Sequence, residues 1–547
     1  MRETAKMKLL AYLYRQEPVR FLFSIIFGIL SGLSGAGLVN IISHSVVNSE
    51  SKTLLLMLQF FGLCFIYMIS KTASEVIIMK LTQQAVFKMR VDLSRKLLYT
   101  PYKQIQKMGS AKLLVILTKD IETFLQATKW VPIVFGNMMV ISGCLAYIAS
   151  FSLDYFFFIV LTLTVCAVAF NLVQRRPLRK LKKVRAQLDI LYDHFQNLIE
   201  GSKELLLNSK RGDLFISKLL TPSSVYFKEL FISSRKSYIL LLNSSSIIFY
   251  LTIGVVLFFS PKMFTQNDGT IATVTLVLLY LVRPITETVS SLPFLQDAAI
   301  SLSKILDLEN ELPEYVAMNI HEDPFSSGEF TGLILNNIYH TYPSATDDSQ
   351  FLLGPLNLKV NPGELLFIIG GNGSGKTTLA MLLLGLYVPD QGRIILNGVD
   401  VNDNNRIHYR QNFSAIFSDF HLFEKLLSAD DMGSTARVNY YINALQMQHK
   451  VKIVDGNFST IKLSTGQRKR LALISSFLED RPIYLFDEWA ADQDPVFKRV
   501  FYTELLPELK SRGKSVIIIS HDDSYFEVAD RIIKIESGNI VDIARHI

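Results

Sequence analysis

The chain has 547 residues, of which 49% are hydrophobic, and its mean hydropathy is +0.28. This composition is too apolar for an ordinary soluble enzyme. The formal net charge is +7, and the apolar residues are concentrated in the first part of the chain, before Asn310. Composition therefore predicts a basic membrane protein with a less apolar C-terminal part.

Six apolar runs predict membrane-spanning helices, because about 20 apolar residues suffice to cross a bilayer. Arg283 and Pro284 interrupt the last run, so five or seven spans remain as alternatives to six. In chain order the predicted spans are Phe21–Ile42, Leu54–Ile77, Trp130–Ala149, Tyr155–Val173, Tyr238–Phe259 and Ile271–Val289.

Basic residues predict how these spans are oriented. Several Lys and Arg residues precede the first span, and the long connections at Lys80–Lys129 and Arg175–Lys236 are also rich in them. The short connections at Ser150–Asp154 and Ser260–Thr270 carry almost none. Since basic residues accumulate on the cytoplasmic side, the N-terminus and the long connections are expected there.

The two long connections exceed the length of simple turns, so we expect helices that extend out of the membrane. The basic run Arg175–Arg185 would suit nucleic acid by charge alone. It directly follows a predicted span, which makes anionic lipid headgroups the better partner. No nucleic acid is therefore expected, and the lipid bilayer is the predicted environment.

Polar side chains within the predicted spans are candidates for cargo contacts, because such groups are costly in a membrane. The alternative is that they form hydrogen bonds between helices or pair with each other. The candidates are Lys71 and Glu75, Arg283 and Glu287, and Asn243 with Ser244–Ser246.

The chain is predicted to divide into three parts. Residues 1–309 would form the membrane domain, 310–330 a linker marked by Pro313 and Pro324, and 331–547 a nucleotide-binding domain.

The third part contains a phosphate-binding loop. Residues Gly370–Thr377 match G-x-x-x-x-G-K-S/T, between the strand-like Leu365–Ile369 and the helix-forming Leu379–Leu386. Such a loop closes backbone N–H groups around phosphates, with Lys376 neutralising their charge and the Thr377 hydroxyl ligating Mg²⁺. The predicted nucleotide contacts are Gly370, Asn372, Gly373, Ser374, Gly375, Lys376, Thr377 and Thr378.

Three further segments complete an ordered set. The apolar strand Ile483–Asp487 ends at Asp487, which suits a direct or a second-sphere contact to Mg²⁺. Glu488 follows it as a candidate general base for the attacking water. The segment Leu463–Arg470 lies at the start of a helical stretch, where free backbone N–H groups predict a binding site for an anion. A later apolar strand ends at His521, for which we expect a role facing the phosphates.

From about Leu333 onward, these motifs and their order resemble the nucleotide-binding domain of ABC transporters. The resemblance implies ATP and Mg²⁺ as cofactors, an aromatic contact of Tyr342 with adenine, and a carboxylate role for Asp494 in the loop after the catalytic strand. In that family the signature of one subunit covers the nucleotide of the other, so two copies of the chain are implied. The signature residues here are Leu463, Ser464, Thr465, Gly466 and Gln467.

The chain departs from the family pattern at several places. Thr465 replaces a glycine, and Ser418, beside Asp419, stands where a glutamine that contacts the metal is usual. An oxygen of Ser418 or of Asp419 would replace that ligand of Mg²⁺, and Ser418 is the candidate at the position itself. Trp489 and Ala490 follow the catalytic Glu488 in place of the common Pro-Thr.

One branch is especially similar: bacterial exporters of cyclic peptides and siderophore precursors, of the pyoverdine and syringomycin type, with their microcin-exporting relatives. The resemblance is carried by the segments Gly363–Lys376, Asp487–Pro495 and Ser520–Asp523. It implies an exporter-type fold with six membrane helices ahead of an α/β ATPase domain in a bacterial inner membrane. The implied function is ATP-driven export of a peptide-like or siderophore-like molecule by a homodimer. The alternatives are an importer of metal-loaded siderophores with the same fold and a non-transporting regulator or channel.

Overall fold

The computed structural model describes residues 11–47, 54–173, 175–263, 268–313, 323–325, 329–343, 350–426, 435–454 and 456–543. Contacts divide the chain into two units, one formed by Met1–Leu98 with Gly109–Pro313 and the other by Tyr99–Met108 with Glu314–Ile547. This division differs from the sequence-based boundary at residue 309, because the last helix of the first unit continues to Glu311. Most of the predicted linker 310–330 lies outside the described residues.

The first unit is helical throughout its described parts. Its long helices are α1 (Pro18–Val47), α2 (Leu54–Tyr99), α6 (Trp130–Ala149), α7 (Leu153–Val173), α8 (Arg175–Glu200), α11 (Thr221–Met263) and α12 (Asp268–Glu311). Shorter helices join them: α4 (Ser110–Val115), α5 (Ile121–Thr128), α9 (Ser202–Leu207) and α10 (Ser209–Leu214), with π-helical turns at Ile116–Asp120 and Phe215–Leu220. The prediction that the long connections are helical is confirmed.

Each predicted span coincides with a helix of the first unit. Among the described residues, four helical stretches are long and apolar enough to cross a membrane: Pro18–Val46, Leu54–Tyr99, Lys112–Ala149 and Gly269–Glu311. Two further apolar stretches, Leu153–Val165 and Phe249–Phe259, are shorter. Six spans therefore remain a prediction. Helix α12 runs without interruption through Pro284, so that residue does not end the last apolar helix.

Helices α1 and α6 pack at close range through small residues. A side-chain carbon built on Gly32 would lie 2.6 Å from the carbonyl oxygen of Gly136. Small residues allow this approach, as is common between membrane helices. Tyr155, Val274 and Leu278 belong to a neighbouring core that is closed to solvent.

The second unit is built on strands. A four-stranded antiparallel sheet contains β1 (Leu333–Pro343), β2 (Gln350–Val360), β4 (Gln391–Leu396) and β5 (Val399–Asp400). A six-stranded sheet has the order β12–β11–β3–β10–β9–β6. Its strands are β3 (Leu365–Ile369), β6 (Phe413–Ile416), β9 (Ile483–Asp487), β10 (Ser515–Ile519), β11 (Arg531–Glu536) and β12 (Asn539–Ile543). A two-stranded ladder joins β7 (Ile453–Val454) to β8 (Asn457–Phe458).

Helices of the second unit follow or cover these strands. They are α3 (Tyr102–Met108), α13 (Lys376–Leu383), α14 (Arg406–Arg410), α15 (Thr435–Ala444), α16 (Thr465–Glu479), α17 (Pro495–Val500) and α18 (Leu506–Ser511), with single turns at Trp489–Asp492, Phe501–Leu505 and Asp523–Val528.

The six-stranded sheet is buried on both faces, as its nearly continuous apolar strands require. Leu365 and Phe367 of β3 belong to one core. Leu366 and Ile368, which alternate with them, belong to the other. Strands β3, β10 and β9 are parallel neighbours, so their carboxyl ends meet at one edge of the sheet. The loops that carry the predicted catalytic residues begin at that edge.

Helix α3 packs on the second unit although it lies between helices of the first in sequence. The Tyr102 ring stacks on the Tyr387 ring at 6.4 Å, and the Tyr387 hydroxyl donates a 2.7 Å hydrogen bond to Gln106 Oε1. Lys103 Nζ lies 3.3 Å from Nε2 of His340, which is buried. Aromatic stacking and these polar contacts assign Tyr99–Met108 to the second unit.

Candidate active site

The phosphate loop follows β3 and leads into helix α13, as predicted. Gly370, Gly373 and Gly375 adopt positive φ values of 151°, 75° and 107°. A side-chain carbon on Gly370 would lie 2.4 Å from the carbonyl oxygen of Ile535. Glycine is needed there both for the conformation and for this close approach. Asn372 and Gly373 form the exposed tip of the loop.

Two side chains of this loop show how it would receive phosphates. Lys376 is buried, and its Nζ donates hydrogen bonds to the carbonyl oxygens of Gly370 and Gly371 at 2.8 and 3.1 Å. The Ser374 Oγ is buried and has no hydrogen-bond partner among the described residues. Buried hydroxyls are nearly always satisfied, so an oxygen-rich ligand fits this place. Thr377 and Thr378 lie in the first turn of α13, with Thr377 exposed.

Asp487 ends β9 beside the phosphate loop. Burial and the neighbouring Glu488 carboxylate raise the pKa of Asp487 to about 6, although Lys376 opposes the shift. Its Oδ2 is buried without a partner among the described residues, which leaves an acceptor for a metal ion. A backbone hydrogen bond from Ser418 lowers the pKa of this carboxyl and the charge of Asp419 raises it, so both residues lie close to Asp487. The Ser418 side chain itself is exposed.

Glu488 and His521 are brought together by strands β9 and β10. Nε2 of His521 lies 3.4 Å from Oε1 of Glu488, and both side chains are partly exposed. Glu488 has a left-handed backbone conformation, with φ of 49°, and its N–H donates to the carbonyl oxygen of Ile519. A partly exposed carboxylate beside an imidazole, at the edge where the carboxyl ends of the strands meet, suits activation of a water molecule.

The signature begins helix α16. Ser464 caps this helix, since its Oγ accepts from the Gln467 N–H at 3.4 Å and the Gln467 side chain accepts from the Ser464 N–H at 3.3 Å. This reciprocal pair satisfies two backbone donors at the helix start. Leu463 precedes the cap, and Thr465 and Gly466 form the first turn. A side-chain carbon on Gly466 would lie 2.6 Å from the carbonyl oxygen of Asp492, so larger residues do not fit.

The signature contacts the loop after Glu488 rather than the phosphate loop. Gln493 Nε2 donates to the Gly466 carbonyl oxygen at 3.0 Å, and Arg470 Nη2 lies 2.6 Å from Asp494 Oδ2. Asp494 also caps α17, and the hydrogen bond from the Phe497 N–H lowers the pKa of its carboxyl. No hydrogen bond within the described ranges joins the signature to the phosphate loop.

Lys469 was missed by the sequence analysis. It lies in the run Arg468–Arg470, whose charges are typical of a solvated helix face, yet its side chain is almost completely buried. Its Nζ donates to the Glu488 carbonyl oxygen at 2.8 Å and pairs with Asp492 at 2.8 Å. Lys469 therefore connects the signature helix to the backbone of Glu488 and to the Asp492 carboxylate in the loop that follows it. No pattern in the sequence indicated this contact.

Tyr342 lies near the end of β1, where it pairs with Phe351 of β2. Its side chain is 43% exposed, which leaves a ring face open to a base. The residues that follow it, 344–349, lie outside the described part of the chain.

Several known proteins are similar to this chain. A family model described as "ABC transporter" matches residues 353–491. The chain is 35% identical over 544 residues to the ATP-binding protein SyrD of Pseudomonas syringae pv. syringae, covering 97% of this chain and 95% of that one. It is 26% identical to an ATP-dependent lipid A-core flippase of Methylobacillus flagellatus, covering 99% of this chain and 93% of the flippase. The corresponding flippase of Escherichia coli is 25% identical, with 89% and 84% covered.

SyrD resembles the chain over almost its whole length, and the second unit carries the phosphate loop, the signature, the strand that ends at Asp487 and the later His521 in the order of the family. The chain belongs to the ABC transporter family, as an exporter-type half-transporter with apolar membrane helices and one ATP-hydrolysing domain.

Proposed function

We propose that two copies of this chain form an ATP-driven exporter of a peptide-like or siderophore-like small molecule in a bacterial inner membrane. The separation of the signature from the phosphate loop carries the proposal. Within one chain, Gly466 and Gln467 contact their own helix and the loop at Gln493, and so they remain available to a nucleotide held by another copy. A symmetric dimer would then contain two complete sites.

The roles of the phosphate-site residues follow from their positions. Gly370–Gly375 would surround the phosphates with backbone N–H groups, and Lys376 would turn from the loop carbonyls to the phosphate oxygens. Thr377, Asp487 and Ser418 would hold Mg²⁺, which neutralises phosphate charge when bound. The unpartnered Oδ2 of Asp487 supports this assignment.

The catalytic and covering roles involve other loops. Glu488 would orient and deprotonate the attacking water, and His521, 3.4 Å away, would contact the terminal phosphate. Tyr342 would stack on the adenine of the same site. The partner copy would supply Ser464, Thr465 and Gly466 from the start of α16, with Asp494 at the interface. ATP then favours the closed dimer, and hydrolysis removes that preference.

The export direction is supported by likeness to relatives, and the class of cargo follows the exporter branch that the motifs of the chain resemble. SyrD is 35% identical over nearly the whole chain, and the two flippases are named for moving a lipid. With the basic connections on the cytoplasmic side, the ATPase domain would be cytoplasmic as well. The likeness to these relatives and the predicted orientation favour export. The experiment must therefore distinguish export from import.

ATP turnover of the full chain in lipid nanodiscs tests the proposed roles of the residues at the ATP site. Lys376→Ala and Glu488→Gln are expected to lower turnover about a hundredfold or more, because the first removes the cation at the phosphates and the second removes the base for the attacking water. Lys359→Ala, which changes an exposed lysine of β2, serves as the matched control and should leave turnover unchanged. Turnover retained in Glu488→Gln would contradict the role of Glu488 as base.

Direction is tested in vesicles. ATP-dependent accumulation of a cyclic peptide in inside-out vesicles, absent with Lys376→Ala, is the expected result for an exporter. Accumulation only in right-side-out vesicles loaded with ATP would identify an importer. ATP turnover with no accumulation of any peptide or siderophore would favour a regulator or channel.

A further inference from the structure

A cavity of about 320 Å³ lies among the helices of the first unit. Helices α1, α2, α6 and α12 all contribute to its wall. The volume is at the lower end of the range for small-molecule sites. Its polar lining includes Ser31, Lys71, Glu75, Asn137, Arg283 and Glu287. Charged groups around a cavity in a predicted membrane region are costly unless they pair or bind something.

One pair of these charges neutralises itself. Arg283 Nε donates to Glu287 Oε1 at 2.8 Å, one helical turn along α12. Asn137 Nδ2 of α6 donates to the other carboxylate oxygen at 3.3 Å. Glu287 is therefore used on both oxygens, and this side of the cavity needs no ligand for charge balance.

The other pair of charges is not neutralised. Lys71 and Glu75 are four residues apart on α2, and the sequence allowed them to pair with each other. Instead, Lys71 Nζ lies 3.4 Å from the Tyr67 hydroxyl and 5.6 Å from the centre of its ring. Glu75 has no hydrogen-bond or ion-pair partner anywhere in the described residues. The cavity thus presents one cation and one anion that both lack a counter-charge.

A third polar group in the wall is also unsatisfied. The indole N–H of Trp130 is buried and donates to no acceptor in the described part of the chain. Its ring is fixed by stacking on Phe294 at 5.4 Å. Buried donors are normally paired, and an unpaired one indicates a ligand or water. Trp130 lines the same cavity as Lys71 and Glu75.

We propose that this cavity binds a cargo group that carries an ammonium and a carboxylate, with Glu75 accepting the ammonium and Lys71 the carboxylate. Trp130 donates to a carbonyl or carboxylate oxygen of the same molecule. Four residues of helix span about 6 Å, so both charged side chains reach one small ligand. The inference rests on the proposed transport function and specifies its cargo as zwitterionic and peptide-like.

The position of the cavity suits loading from the cytoplasm. On the predicted orientation, α6 begins on the cytoplasmic side at Trp130, and α2 approaches that side near Glu75. Arg283 and Glu287 lie towards the cytoplasmic end of the predicted span Ile271–Val289. Cargo recognised there would be bound before transport rather than at release.

Binding of three cyclic dipeptides tests the assignment, because such rings have no terminal charges. The radiolabelled probes contain lysine with glutamate, glutamine with glutamate, and lysine with glutamine. Equilibrium binding is measured on the full chain in lipid nanodiscs. The wild type is expected to prefer the zwitterionic probe about tenfold over each of the others, as expected for one lost charge contact in a partly dehydrated site.

Two variants should change selectivity in opposite directions. Glu75→Gln should bind the zwitterionic and the anionic probe equally, and Lys71→Met should bind the zwitterionic and the cationic probe equally. Lys80→Met alters an exposed lysine of the same helix that does not line the cavity, and it should match the wild type. A merely structural pair would weaken all three probes alike.

The assignment is overturned if the wild type does not prefer the zwitterionic probe, if it binds no probe at millimolar concentration, or if both variants keep the wild-type order. ATP turnover in the same nanodiscs separates this failure from that of the proposed function. If ATP turnover depends on Lys376 but no probe is bound selectively, only the assignment of the cargo site is contradicted. If the wild type shows no such turnover, the proposed function is contradicted.

Discussion

The indole N–H of Trp489 donates a 2.9 Å hydrogen bond to the backbone carbonyl oxygen of Lys469. Trp489 follows Glu488, the proposed general base, whereas Lys469 lies in the signature helix. The Lys469 side chain in turn donates a hydrogen bond to the Glu488 carbonyl oxygen, so two hydrogen bonds join these segments. Trp489, which stands where the family usually has proline, thus has a structural role, because it fixes the signature helix relative to Glu488.

Replacement of Trp489 should show this coupling. Trp489→Phe removes one hydrogen bond and should lower stability by about 1 kcal/mol. Trp489→Ala also removes the ring that packs on Phe501 at 4.2 Å and should cost about 3–5 kcal/mol. Calorimetric Tm values of the full chain check this order. An alanine variant as stable as the wild type would contradict it.

Two adjacent glycines provide a matched pair in the phosphate loop. Gly370→Ala places a methyl group against the Ile535 carbonyl oxygen at a φ of 151°, and we expect at least about tenfold weaker binding of a fluorescent ATP analogue. Gly371→Ala meets nothing within 4 Å and should bind nearly as the wild type. Equal affinities of the two variants would show that the close approach of Gly370 to Ile535 does not limit the loop.

Ser418 offers a test of the altered metal contact. If its hydroxyl ligates Mg²⁺, Ser418→Ala should raise the Mg²⁺ concentration for half-maximal turnover about tenfold, whereas Ser418→Gln should restore it, since both side chains supply an oxygen. The backbone hydrogen bond from Ser418 to Asp487 persists in both. Asp419→Asn is the control for the adjacent carboxylate. Unchanged Mg²⁺ dependence in Ser418→Ala would remove the residue from the metal site.

His340 predicts a pH dependence of stability in the second unit. Burial and the nearby Lys103 lower the pKa of His340 below 6.5, although Asp390 opposes the shift. At mildly acidic pH, His340 therefore binds a proton more readily in the unfolded chain than in the folded chain. The contribution of neutral His340 is complete above about pH 6.5 and declines as pH falls toward the lowered pKa.

The measurement is the Tm of the full chain between about pH 5 and pH 7.5. His340→Phe keeps a ring against Tyr387 and should lose less stability on acidification than the wild type does. Lys103→Met should have an intermediate effect, because it removes one of the two causes of the shift. Parallel Tm curves for wild type and His340→Phe would contradict the prediction.

The sequence predicted the elements whose signals are local. Strand β3 was placed at Leu365–Ile369 without error, because an apolar run ends there at a glycine loop. The fold class is confirmed, and the edge that unites Lys376, Asp487 and His521 follows from the order of parallel strands. Such features can be predicted from a short stretch of sequence and from the general rules of sheet packing.

Contacts between distant segments were not predictable in the same way. The burial of Lys469 depends on Glu488 and Asp492, which follow it by about twenty residues. Its neighbours in sequence are the exposed Arg468 and the partly buried Arg470. Lys71 and Glu75 have the spacing of a helical ion pair, yet Lys71 contacts Tyr67 instead. Spacing permits a contact, but the surrounding side chains decide whether it forms.

The path of the chain has a consequence for any fragment of it. The backbone passes between the two units at Leu98–Tyr99, at Met108–Gly109 and at Pro313–Glu314. An ATPase fragment that starts in the linker lacks Tyr102, Lys103 and Gln106, which cover the aromatic surface of Tyr387 and His340. That surface would then face solvent and favour self-association. A soluble ATPase fragment would need the Tyr99–Met108 peptide supplied separately or grafted onto its N-terminus.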